Sequence, residues 1–83
     1  MRHYKKLKTK RFYEVKNNEK SFLLTEDNDK YNDGDTMVFD EFNDWDKPTG
    51  KAMVKTIGYV EREEIDGLNK GYCILGLKGG LTV

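Results

Sequence analysis

The stretch DKYNDGDTMVFD, Asp29 to Asp40, carries acids at its positions 1, 5, 7 and 12 and a glycine, Gly34, at position 6. Acids at that spacing supply oxygen ligands to calcium in a helix–loop–helix hand. Two positions break the match. Tyr31 stands where an Asp or Asn belongs, and Asp40 stands where a longer, bidentate Glu belongs. The flanks disagree as well, because KSFLLT before the loop and TMVF inside it are strand-like rather than helical. The stretch is therefore read as a turn and not a metal site. Gly34 takes a positive φ there, and Asp33 or Asp35 accepts local backbone N–H groups.

Other chemistry finds thinner support. PTGK, Pro48 to Lys51, ends like a phosphate loop, but Trp45 and Ala52 occupy the positions that need Gly and Ser or Thr. It reads as a hairpin turn instead. The single cysteine, Cys73, lies in the most apolar segment, where a thiol behaves as a small hydrophobe with a raised pKa. His3 is the one histidine, so one Cys and one His cannot close a zinc site. No cofactor and no metal are expected. Nucleic-acid binding asks for basic residues with aromatics among them. Lys5, Lys6, Lys8, Lys20, Tyr31, Trp45, Lys47, Lys51 and Tyr72 are the available set, with Tyr72 also readable as core.

The elements that position these residues follow from periodicity. HYKKLK, His3 to Lys8, is a first strand. TKRFYEVKNN has Phe12 and Val15 on one helical face, Thr9 as N-cap and Asn17-Asn18 as stop, giving a helix over Lys10 to Lys16. KSFLLT and TMVFDEF are short strands, and NDWDKPTG is a loop. KAMVKTIGYVERE is a long strand with Met53, Lys55, Ile57 and Tyr59 on one face, and Gly58 marks a bend or bulge. GLNKG is a turn. YCILGL is apolar on both faces, as a central strand is. The fold class is mainly β (α+β by content): a small barrel of five to six strands with one short helix after the first strand, closure being the economical way to remove exposed edges.

The 83 residues make a single domain, 1–83. Ten aromatics suffice for a small core and exclude a disordered chain. No apolar run approaches the length of a membrane span, and the N-terminus has no apolar signal region, so a cytoplasmic protein with no membrane partner is the expectation. Net charge is zero but unevenly spread. Residues 1–20 carry eight Lys/Arg against two acids, and residues 21–50 carry nine acids against two lysines. Either the two segments face each other or they form a basic face with an acidic back.

Taken in order, His3, FYEVKNNEKSF, YNDGDTMVF, PTGK and GLNKGYCIL resemble a short bacterial branch of the ASCH (activating signal cointegrator homology) family, within the PUA-like superfamily. GD before a strand and GL-x-x-GY-x-IL are the most specific parts. The resemblance implies a PUA-like barrel with the helix between the first two strands, and a cleft near that helix for RNA or nucleotide-derived ligands. His3, Lys20, Gly34, Asp35 and Tyr72 fall on positions the branch fills with the same residues. Some ASCH members are amidohydrolases of acetylated cytidine that use a Lys, a Thr and a Glu. Here the branch's Gly, Glu and Arg positions hold Asn18, Leu23 and Thr25, and its Asp-Arg pair is Asn28-Asp29. The cleft has thus lost an acid and two arginines, and arginine suits phosphate best.

The leading expectation is an RNA- or nucleotide-ligand-binding module rather than an enzyme. His3, Lys6, Lys8, Lys20, Ser21, Thr25 and Tyr72 are its candidate contacts, and Gly34-Asp35 is a structural turn. A barrel that takes a basic protein partner on its acidic middle segment comes second. An amidohydrolase comes third, because Leu23 removes the obvious general acid/base.

Overall fold

A computed structural model describes residues 1–17, 19–27, 30–62 and 71–82. Its elements are β1 (Arg2–Lys8), α1 (Thr9–Lys16), β2 (Phe22–Glu26), β3 (Thr36–Phe42), β4 (Pro48–Glu61) and β5 (Tyr72–Thr82). The five strands form one sheet in the order β1-β3-β4-β5-β2. β1 runs parallel to β3, and every other neighbour is antiparallel. A parallel pair needs a long crossover, and α1, β2 and the following loop supply it. The expected mainly-β fold with a helix after the first strand is what forms, and YCILGL is flanked on both sides as a central strand.

The sheet curls into a half-barrel. Register shifts between Asp40 and Phe42, Val54 and Thr56, and Ile57 and Tyr59 bend its two longest neighbours. The concave face holds the core: Met37 and Phe39 from β3, Met53 and Ile57 from β4, Cys73, Leu75 and Leu77 from β5, and Leu23 from β2. α1 closes part of the open side with Phe12 and Val15, both fully packed. These are the two apolar positions at i, i+3 spacing that mark the helix in the sequence.

Several expectations fail locally. Thr9 is the first helical residue, not the cap; Lys8 occupies the N-cap with no side-chain bond. The reason is that the Thr9 hydroxyl is spent on β3, as described below. Asn17 ends the helix at φ −87°, outside the left-handed region; Asn18 lies outside the described residues, as do Asn28-Asp29 and all of GLNKG but Gly71. Pro48 to Gly50 begin β4 rather than forming the turn. Proline is tolerated there because the first residue of a strand can do without a donor. The turn is instead Asn43 to Lys47, with Asp46 at φ 60°.

The alternation along β4 holds only as far as Ile57. The bulge expected at Gly58 turns Tyr59 outward, where its ring lies over Gly76; a Cβ on that glycine would sit 2.0 Å from the ring. Two tyrosines are also exchanged. Tyr31, expected at a basic rim, is buried, and Tyr72, readable as core, is 38% exposed.

Candidate functional site

The polar side chains gather in three places. At the start of β1, the buried His3 ring donates from Nε2 to Asp35 Oδ2 at 2.8 Å. The Asn32 N–H donates to the same oxygen at 3.1 Å, and the N-terminal ammonium lies 3.2 Å from Oδ1. The His3 contact is the main reason the Asp35 carboxyl sits below its ordinary pKa, against the opposing pull of burial. A carboxylate has no proton to give, so the hydrogen lies on Nε2. Gly34, at φ 91°, completes the turn. Both turn residues therefore do what the sequence assigns them, and His3 is spent on holding that turn. The Tyr31 ring packs edge-on against His3 at 4.6 Å.

Near this end of the barrel, Thr25 lies opposite Cys73 in the β2–β5 ladder, and both are buried. The Cys73 thiol donates to the Asp27 carboxylate, and burial together with that charge pushes its pKa up to about 11. Asp27 in turn accepts from Arg62 Nε at 2.6 Å, and the guanidinium also reaches the Tyr31 carbonyl. The sequence gives no hint of Arg62, which arrives from the far end of β4. At pH 8 only about one thiol in a thousand is ionised at such a pKa. Iodoacetamide is therefore expected to leave Cys73 unlabelled in the folded protein and to label it in urea, as intact mass would show.

The third place is the opposite end of the barrel, where β1 ends, α1 begins and β3 turns into β4. Glu41 points inward there and is buried. The Thr9 hydroxyl and then the Thr49 hydroxyl, at 2.8 Å, hold its carboxyl below the usual range. Thr9 Oγ1 also lies 3.4 Å from the Phe42 carbonyl, but a charged oxygen is the stronger acceptor. Lys51 donates to the Tyr13 hydroxyl at 2.9 Å. Lys16 and Lys51 sit 5.3 and 5.6 Å from the Tyr13 ring centre. Lys6 lies 4.8 Å over the Phe42 ring, and Lys8 reaches the Asn43 carbonyl at 3.3 Å and Asp46 at 3.6 Å.

The β3–β4 turn at this end is built to be rigid. The Asn43 side-chain oxygen accepts from the N–H groups of Trp45 and Lys47, at 3.0 and 3.1 Å. The Asn43 backbone pairs with Lys47 and Asp46 at 2.9 Å each. At the tip Trp45 is 80% exposed. The large amphipathic ring is thus held outward on a braced turn, between Asp44 and Asp46 in sequence, with Lys8 paired to Asp46.

The candidate contacts read from sequence do not converge. Lys6 and Lys8 are at the Trp45 end; His3, Thr25 and Tyr72 are at the other. Tyr72 donates to Glu26 at 3.4 Å. Lys20 is half-buried just after α1, its N–H on the Glu14 carbonyl at 3.0 Å. Ser21 lines a shallow outer groove of about 280 Å³ with Tyr59, Gly76 and Lys78. Glu41, Tyr13 and Lys16 were missed. The only signal for Glu41 is its place at an inward position of TMVFDEF, two residues after Phe39. Among the described residues no helix is long and apolar enough to cross a membrane.

Residues 2–77 match the profile of a family described as a domain of unknown function, DUF3850. No curated protein matches the chain.

Proposed function

The chain belongs to the DUF3850 family, and from that premise we propose that it is a PUA-like barrel of the ASCH kind that binds single-stranded RNA or a nucleotide-derived ligand at its Trp45 end. The exposed Trp45 on its braced turn is the observation that carries this reading. Every base has a π-face, so one platform accepts any of them. Lys47 lies two residues beyond Trp45 and Lys8 reaches the same turn, where it bonds the Asn43 carbonyl and pairs with Asp46, one of the two acids beside the ring. Lys6 over Phe42 and Lys51 on the Tyr13 hydroxyl are the further cations at this end. The helix between the first two strands and the five-stranded curled sheet agree with the fold that the ASCH resemblance implies.

The two other readings have less behind them. Four of the nine acids in the acidic middle segment are already engaged within the fold. Asp27, Asp35 and Asp46 pair with Arg62, the His3 clip and Lys8, and Glu41 is buried behind two threonines. For an amidohydrolase, the position that would need a carboxylate holds Leu23, which lies in the core.

Trp45 is the chain's one tryptophan, so its fluorescence reports directly on the site. Titration with an unstructured RNA oligomer at low salt is expected to quench it saturably. Affinity should fall with salt at a log–log slope of about −0.7 per phosphate contacted. By anisotropy of labelled RNA, Trp45→Ala should weaken binding about 5- to 150-fold, the cost of one stacked base. A mononucleotide in place of the oligomer separates the two ligand sources. The reading fails if neither ligand quenches Trp45 at low salt, or if Trp45→Ala leaves binding unchanged.

A further inference from the structure

The two edges of the sheet are not alike. β1 is guarded by Arg2, Lys5, Lys6 and Lys8, a run of like charge that repels a second copy of itself. β2 has no such guard. Its exposed face carries Phe22 and Leu24, 46% and 53% exposed. In the antiparallel ladder with β5, Ser21 accepts from the Leu77 N–H and Asp27 donates to the Gly71 carbonyl. With the register Leu23 to Leu75 and Thr25 to Cys73, the odd-numbered residues bond to β5. The N–H and C=O groups of Phe22 and Leu24 therefore face away from it. Among the described residues no strand pairs with that side.

The sequence across this edge is complementary to itself. Lys20-Ser21-Phe22-Leu23-Leu24-Thr25-Glu26 runs from a positive residue through three apolar ones to a negative one. Two copies laid antiparallel about Leu23 bring Phe22 opposite Leu24 twice on the outer face. Ser21 then stands opposite Thr25 twice, and the Lys20 side chain stands opposite Glu26 at both ends while its N–H stays on the Glu14 carbonyl. A register centred on Leu24 would set Phe22 against Glu26 instead. The net charge of zero adds no long-range repulsion. Glu26 already accepts from Tyr72, but a carboxylate has about four acceptor sites.

We propose that β2 is a self-association edge: two copies pair Lys20–Glu26 to Lys20–Glu26 about a two-fold axis at Leu23, joining their five-stranded sheets into one of ten strands. Opposed apolar pairs and opposite charges favour this register. The two-fold makes the contact close on itself, so it stops at a dimer. A contact built on strands this short is small, and small interfaces are weak. The dimer should therefore form at high concentration and dissociate on dilution.

Sedimentation equilibrium across roughly 1–500 µM is expected to show a reversible monomer–dimer equilibrium. Leu24→Lys, at an exposed site that folding tolerates, should weaken it at least tenfold. Lys20→Glu and Glu26→Lys, taken singly, set like charges opposite each other and should each weaken it. Combined, they restore the pairing of opposite charges and should restore the dimer. Circular dichroism on each variant keeps misfolding apart from lost pairing. Amide exchange at Phe22 and Leu24 should quicken on dilution. A monomer at every concentration, a dimer indifferent to Leu24→Lys, or a charge swap that fails to restore association each overturns the proposal.

Discussion

Phe12→Ala is expected to lower the stability of the domain by about 3–5 kcal/mol, the range for removing a buried phenyl ring. A chain of this length has only about 4–12 kcal/mol in all, at roughly 0.05–0.15 kcal/mol per residue, so a large part of the population should unfold. The size of the effect follows from the position. Phe12 is fully buried, and it and Val15 are the buried residues of α1, with the partly buried Tyr13 packed beside them. The helix spans Thr9–Lys16, far below the length at which an isolated helix is stable in water. It also has no side-chain cap. Packing, not propensity, must therefore hold it. Losing the ring would release Thr9 from Glu41 and Tyr13 from Lys51 at the same time, leaving a buried carboxylate without one of its two donors. Phe12→Leu keeps most of the volume and should cost under about 1.5 kcal/mol. Urea unfolding of the two variants makes the comparison. A loss below 1 kcal/mol for Phe12→Ala would mean the helix is not anchored through this ring.

That dependence shows which parts of the fold are legible in sequence. Phe12 and Val15 announce the helix because apolar side chains at i, i+3 spacing can serve only one face. Gly34 announces its turn because few other residues adopt φ near 90° without cost. The inner face of β4 reads correctly from Met53 to Ile57 and then fails at Tyr59. A bulge shifts the period by one, and where it falls depends on β5 lying alongside. The start of β4 is misread for a similar reason. Pro48 and Gly50 look like a turn, but Asn43 has already closed one with its own side chain, so the strand can begin at the proline.

The candidate contacts are the least legible part, and the cause is topological. His3 and Lys8 are close in sequence but stand at opposite ends of a seven-residue strand. Arg62 and Asp27 are far apart in sequence yet share two hydrogen bonds. A basic segment read as one surface is thus divided. Its outward lysines flank the Trp45 turn, while its histidine and N-terminus clip down Asp35. β1 also lies directly beside β3, with Lys6 in register with Asp40. The two charged segments thus run side by side, and the described ion pairs that join them are the N-terminus and His3 to Asp35 and Lys8 to Asp46.

The Asp35 clip should make the domain acid-sensitive in a way one substitution isolates. Asp35 has a folded pKa below its ordinary value, chiefly because His3 donates to it. A depressed carboxyl stabilises the fold fully above the unfolded pKa, about 3.9. That contribution is lost as pH falls through the lower folded value, because the unfolded chain takes up the proton first. Linkage sets the steepest change for one group at about tenfold in the unfolding constant per pH unit. Asp35→Asn keeps the size of the side chain but cannot carry the charge. The variant should unfold more readily than the parent at pH 7, and the gap should narrow as pH falls below about 4. Glu41 titrates in the same acid range and is also held low, but it is common to both proteins and drops out of the difference. Urea midpoints measured at half-unit pH steps give the comparison. A gap that stays constant from pH 7 to pH 2 would mean that shape alone fixes the turn. In that case the 2.8 Å contact to His3 would hold equally well with Asp35 protonated, and the start of β3 would owe its position to the Gly34 turn and the β1 ladder.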